Sequence, residues 1–115
     1  GSLTVMATAA VETGWHLDEM ILESLQGTAN SVVRLDRRAA DRRVYPAIDV
    51  VASCTRELHR LKGDDRALAG QALADALVAI EDTEPGSAID WVLEQINVTS
   101  SNQQILAQLA VSGDG

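Results

Sequence analysis

Residues 35–56, LDRRAADRRVYPAIDVVASCTR, decide how this chain is read. Asp36 can accept a hydrogen bond from the unsatisfied backbone N–H groups that open a helix, so a short helix is expected from there through Arg43. Pro46 ends it, because the residue before a proline is pushed out of the α region. Residues 47–52 then read as a short buried strand. Ser53, Cys54, Thr55 and Arg56 leave that strand as a turn that finishes on a lone arginine.

Upstream, residues 3–11, LTVMATAAV, are apolar nearly throughout and bounded by Glu12-Thr13-Gly14. They read as a strand buried on both faces, as in a parallel sheet. Residues 15–19 read as a loop or short turn. Two short apolar stretches, 20–25 and 31–35, flank Gln26-Gly27-Thr28-Ala29-Asn30 and suggest a hairpin-like excursion. Downstream of Arg56 the periodicity becomes helical. Asp64 or Asp65 can cap a helix to about Asp82, with Leu73, Leu77 and Ile80 on one face. Glu84-Pro85-Gly86 breaks it. Ser87 with Asp90, and Ser101 with Gln104, form capping-box-like pairs for two further helices. Their apolar residues are Ile89, Val92, Leu93 and Ile96, then Ile105, Leu106 and Leu109. The outline is α/β: strands over 3–56, a helical part over 57–110, and a frayed tail over 111–115.

The 115 residues suffice for one domain with a modest core, and Gly1-Ser2 reads as a cloning scar. With 46% apolar residues and no Phe, that core must be assembled from Ala, Val, Leu and Ile. No apolar run is long enough for a membrane span. The single cysteine, Cys54, cannot form an internal disulfide and fits a reducing cytoplasm. The net charge of −8 argues against strong nucleic-acid binding by the chain alone. All nine basic residues lie between Arg34 and Arg66; that window carries +3 and the remainder −11. Such segregation suits docking on an anionic ligand or an acidic partner face, or else a solvated helical face with local ion pairs.

Nearly the whole chain resembles the C-terminal part of the bacterial transcription termination factor Rho family, ring-forming RNA-dependent ATPases and helicases. The resemblance runs through LTVMATAAVETG (3–14), DEMILESLQGTAN (18–30), residues 35–56 and AIDWVLEQINVTSSNQQIL (88–106). YPAIDV by itself also resembles ATP synthase and type III secretion ATPase chains; the GTAN turn and the helical ending favour Rho. The resemblance implies the C-terminal fragment of a RecA-like P-loop ATPase core with a C-terminal helical cap. No G-x-x-x-x-G-K-[ST] occurs in the chain. ATP and Mg are therefore expected in the intact parent and no cofactor in the fragment. The implied partners are RNA, the RNA polymerase complex and neighbouring subunits, with no membrane; the fragment itself is expected to self-associate, because truncation exposes a strand edge.

By resemblance, Arg56 matches an arginine finger that reaches a neighbour's ATP. On chemistry alone it is a surface arginine paired with Glu57 or another acid. Tyr45 matches an aromatic that packs on adenine, or else plugs the core beside Pro46. Arg43 lies at the same implied subunit boundary, or is a solvated helical arginine. Gln26, Gly27 and Thr28 match an RNA-facing loop, or form an ordinary turn. Gln26 stands where the family pattern has lysine, Ala29 where it has a second glycine, and Cys54 where it usually has glycine. His16 and His59 lack metal-ligand spacing, and no metal site is expected. A second reading is a stand-alone Rho-like interaction or regulatory module without catalysis, motivated by Gln26, Ala29, Cys54 and the acidic balance.

Overall fold

The computed structural model describes residues 1–112, with the side chains of the last two left aside. Of the tail expected over 111–115, residues 111 and 112 belong to the last helix instead, and the rest lies outside the described residues. The chain divides into two compact units, Gly1–Asn30 and Ser31–Gly115.

In the first unit, residues 3–11 form no strand, which corrects the reading above. Leu3, Val5 and Met6 are 89%, 78% and 94% exposed. An apolar run becomes a buried strand only when a ladder partner takes up its N–H and C=O groups. None of the described strands supplies one. The expected loop at 15–19 and the first arm of the expected hairpin are instead one helix, α1 (His16–Thr28). Its start is set by Thr13, whose hydroxyl donates to the Asp18 carboxylate (2.7 Å) and accepts from the Trp15 N–H (3.2 Å). Asp18 and Glu19 in the first turn complement the positive end of the helix. Asp18, Leu22 and Leu25 are its half-buried positions, at helical spacing, and no α1 residue is fully buried.

The second unit holds a two-stranded antiparallel sheet of β1 (Ser31–Leu35) and β2 (Ile48–Thr55). The partner of residues 31–35 is thus β2, not the segment before the GTAN turn. Leu35 faces Ile48 and Arg34 faces Asp49; Val32 faces Cys54 and Ser31 faces Thr55. Between these pairs β2 makes an excursion over residues 50–53 opposite Val33 alone. Asp49 organises it: its carboxylate accepts from the Val51 and Ala52 N–H groups (3.2 and 2.9 Å). Ser53 donates to the Asp49 carbonyl (2.6 Å) and accepts from the Arg34 N–H (2.9 Å). β2 therefore continues to Thr55, past the expected end at Ala52. No β2 residue is fully buried, contrary to the buried strand expected there, because it has one strand neighbour instead of two.

Between the strands lies α2 (Arg37–Asp41), capped by Asp36 as expected: its carboxylate accepts from the Arg38 N–H (2.9 Å). The N–H of Asp36 bonds the Ala47 carbonyl (2.9 Å), closing the connection onto the sheet. Beyond β2 come α3 (Leu58–Lys62), α4 (Asp64–Thr83), α5 (Ser87–Val98) and α6 (Asn102–Ser112). Helix α4 is the hub, touching α3, α5, α6 and β2. Gly63 is its N-cap, so Asp64 and Asp65 act on the helix dipole from the first turn and not as the cap. A Cβ on Gly70 would lie 2.8 Å from Leu58 Cδ2, so glycine is what lets α3 approach α4. At α6 the expected capping pair forms: Ser101 Oγ accepts from the Gln104 N–H (3.4 Å), and Gln104 Oε1 takes the Ser100 N–H (2.8 Å). At α5 it does not. Ser87 donates backwards, to the carbonyls of Glu84 and Ile80 (2.6 and 3.1 Å).

The start of α5 is instead capped from α4. Glu81 accepts from the N–H groups of Gly86 (2.8 Å) and Ala88 (3.3 Å). Arg42, just after α2, grips the same corner by donating to the Gly86 carbonyl (2.8 Å) and the Asp90 carboxylate (3.0 Å). Gly86 sits at φ +88°, and a Cβ there would lie 3.2 Å from the Arg42 guanidinium; both favour glycine. Around this corner lie the buried apolar residues Ala39, Leu77, Ala88 and Ile89.

Replacing Glu81 with Ala leaves two N–H groups at the head of α5 without their acceptor. We expect a loss of about 1 kcal/mol, the usual worth of a helix cap, read as a lower urea midpoint at unchanged slope. Ala88→Leu forces a larger side chain into a site that is 1% exposed and should cost about 1–3 kcal/mol in the same measurement.

Candidate functional site

Three residues singled out in the sequence flank β2. Arg43 follows α2 in a left-handed turn conformation, with φ at +60°. Its N–H bonds the Ala40 carbonyl (2.9 Å), and the Val44 N–H bonds the Ala39 carbonyl (2.9 Å). These bonds turn the chain so that residues 43–46 bend outward before β2 begins. Tyr45 lies in that bend and is 67% exposed, so its ring does not plug the core beside Pro46.

Arg56 occupies the turn directly after Thr55 and is exposed. The neighbouring Glu57 is held in the left-handed region at φ +48°, and its carboxylate takes the Arg60 guanidinium at 2.7 Å. The register of β2 separates these groups: Tyr45 and Arg43 stand before Ile48, and Arg56 follows Thr55 at the other end of the ladder. Within one copy they do not converge on one pocket. Each presents chemistry outward: a flat aromatic face beside an arginine at one end, and a permanently charged planar fork at the other.

The GTAN stretch differs from the expected loop. Gln26, Gly27 and Thr28 form the last turn of α1, and only Ala29 and Asn30 lie beyond it. The Thr28 hydroxyl bonds back to the Ser24 and Leu25 carbonyls (3.2 and 3.3 Å), and the Ala29 N–H closes on the Leu25 carbonyl (2.8 Å). The backbone ladder thus runs to Thr28, and the Thr28 hydroxyl shares carbonyls that the ladder already uses. A Cβ on Gly27 would meet nothing within 4 Å, so this glycine meets no packing demand in the chain itself.

Cys54 is exposed on β2 opposite Val32. Among the described residues no group of three or more His, Cys, Asp or Glu side chains is arranged to hold a metal ion, and no helix is long and apolar enough to cross a membrane. Sequence reasoning passed over Arg42. No local signal marks it among the five arginines of residues 34–43, because its partners are 44 and 48 residues further on. It also passed over an open groove between the end of α4 and α5, where Trp91 stands among Glu84, Asp90 and Glu94.

No protein-family model matches the chain. Curated proteins do match it. Transcription termination factor Rho of Streptomyces lividans is 41% identical over 109 residues, 95% of this chain. Rho of Mycobacterium tuberculosis is 38% identical over all 115 residues. Rho of Chromobacterium violaceum is 38% identical over 103 residues, 90% of the chain. The chain is a homologue of part of transcription termination factor Rho. It spans only 15%, 19% and 24% of the lengths of these three Rho proteins.

The exposure of Tyr45 has a measurable consequence. Tyr45→Ala should change the stability of the chain by no more than about 0.5 kcal/mol, as for surface positions generally. Chemical denaturation followed by circular dichroism checks this, and a loss of several kcal/mol would return the ring to a packing role.

Proposed function

We infer that this chain acts as the C-terminal portion of a Rho-type termination factor, an ATP-driven RNA translocase that releases transcripts from the RNA polymerase complex. The homology to Rho across 90–100% of the chain carries this reading. The trailing part of a RecA-like core (3–56), with β1 and β2 as its strands, and a helical cap (57–110) are its proposed parts, in a cytoplasmic ring of like subunits.

In this reading Arg56 is the catalytic group supplied to a neighbouring subunit. A guanidinium is always charged and offers a rigid fork, so it can stabilise charge that develops on a transferring phosphoryl group. A turn that ends a strand is a suitable mount, since the side chain leaves a fixed backbone and projects from the surface. Tyr45 offers its exposed face to the adenine of ATP, with Arg43 beside it at the same boundary. The phosphate grip and the Mg site belong to other parts of the parent, because the chain has no phosphate-loop motif.

Gln26, Gly27 and Thr28 are the proposed RNA-facing positions. The end of a helix can present small residues to a sugar–phosphate chain. Gln26 brings no positive charge, however, so phosphate attraction at this position is weaker than a lysine would provide.

The chain alone should show no Mg-ATP hydrolysis, with or without RNA, in a steady-state assay. In an assembled ring that contains this segment, Arg56→Ala should lower RNA-stimulated turnover by about a thousandfold or more while nucleotide binding persists. Arg56→Lys should rescue poorly. Mixing Arg56→Ala subunits with subunits defective in phosphate binding should restore part of the activity, since some interfaces regain both halves. Near-normal turnover of the Arg56→Ala ring would remove the residue from the catalytic site.

A further inference from the structure

β2 does not run straight to Arg56. Leu35 with Ile48 and Arg34 with Asp49 pair in one register; Val32 with Cys54 and Ser31 with Thr55 pair in another. Between the two registers β1 takes two steps while β2 takes five, so the excursion absorbs three residues of β2. That length decides where the strand ends. In an unbroken ladder Ala52 would face Ser31, and Arg56 would lie about 10 Å further along, at roughly 3.3 Å per residue. The absorbed number is odd, so the excursion also exchanges the two faces of the strand for the residues after it. As it is, Thr55 closes the ladder opposite Ser31 with their hydroxyls 3.1 Å apart, and Arg56 leaves the sheet one residue later.

Few groups hold the excursion, and they are polar. A single oxygen of Asp49, Oδ1, accepts from both the Val51 and the Ala52 N–H. Ser53 ties the far end twice. Its hydroxyl donates to the Asp49 carbonyl, which draws the two ends of the excursion together, and it accepts from the Arg34 N–H, which fixes them on β1. Asp49 and Ser53 are half-buried, whereas Val51 and Ala52 are exposed, so hydrogen bonds more than packing keep these two residues in place. Extra residues in one strand of a ladder commonly serve to re-aim a side chain.

We propose that Asp49 and Ser53 are positioning residues for Arg56: the excursion they hold sets how far along the ladder, and on which face, the guanidinium is presented to a neighbouring subunit's nucleotide. The proposal rests on the reading of Arg56 as a group supplied to that neighbour. Neither Asp49 nor Ser53 touches nucleotide; both act through the backbone that carries Arg56. A misplacement of about 1 Å can cost on the order of a hundredfold in rate, and the excursion governs a larger displacement than that.

Two measurements test it. In the 115-residue chain, amide hydrogen exchange at Val51 and Ala52 and the cross-strand Overhauser contact between Ser31 and Thr55 report on the excursion. Asp49→Ala should speed exchange at both amides by about tenfold or more and weaken the contact. Asp49→Asn, which keeps an oxygen at Oδ1, should restore both. Unchanged exchange in Asp49→Ala overturns the proposal. In an assembled ring that contains this segment, Asp49→Ala should lower RNA-stimulated kcat by about ten- to a hundredfold while KM for ATP stays within about twofold. Asp49→Asn should recover most of that loss. Ser53→Ala should lower kcat in the same way, and it decides the test if Asp49→Ala fails to assemble. Added to Arg56→Ala, Asp49→Ala should slow turnover no further, because its effect passes through the guanidinium. Full turnover in Asp49→Ala and Ser53→Ala beside an inactive Arg56→Ala overturns the proposal and leaves the reading of Arg56 standing. So does a loss that adds to that of Arg56→Ala. Near-normal turnover of Arg56→Ala overturns the reading and the proposal together.

Discussion

The second unit depends on how the first turn of α5 is held. Four amide groups at the start of any helix lack partners within it, and the turn at Glu84-Pro85-Gly86 brings those of α5 against α4 and the α2 connection. Glu81 supplies a carboxylate from one side, and Arg42 clasps the Gly86 carbonyl and Asp90 from the other. The two groups reinforce one another. The carboxylate satisfies donors, the guanidinium satisfies acceptors, and Gly86 is the residue that lets both approach. Ala39, Ala88, Ile89 and Leu77 are buried around this corner, so packing and polar satisfaction converge there.

Local chemistry was legible in the sequence, and long-range pairing was not. The Asp36 cap, the break at Pro85 and Gly86, the helical faces that bury Leu77 in α4 and Ile89 in α5, and the Ser101–Gln104 cap each depend on groups a few residues apart. The two strand expectations share one physical origin. Residues 3–11 and 47–52 have the composition of doubly covered strands, but composition specifies an environment without providing it. β2 found one strand neighbour and is half exposed; the 3–11 stretch found none. Residues 15–25 were misread for a different reason. Gly27 and Asn30 suggest a turn, whereas Thr13 sets the start of a helix whose backbone ladder runs on to Thr28. The excursion of β2 could not be foreseen either, because Asp49 reads equally well as a ladder residue until its carboxylate is seen to collect two amides.

The residue types proposed for the site are read from the sequence, and the structure adds where they stand. Arg56 and Tyr45 are both exposed. They stand at opposite ends of β2, and a chain with one such strand cannot fold them onto a common ligand. In the proposed reading, a site that uses both draws them from different copies. The polar residues that organise the corner, Arg42 and Glu81, carried no sequence signature of importance. Their value arises from partners in other elements.

The reach of Arg42 also bears on how the protein is made. Its two partners lie 44 and 48 residues further along the chain. A ribosome that adds about 5–20 residues per second delivers Asp90 some 2–10 s after Arg42. Over that interval β2 exists without the helix that packs on it. Closing so long a loop is also entropically costly compared with winding α4, whose contacts are local. The corner that fixes the finished unit is thus among the last features to form during synthesis, and the nascent chain passes through a stage in which its charged connection is complete but its principal anchor is not yet made.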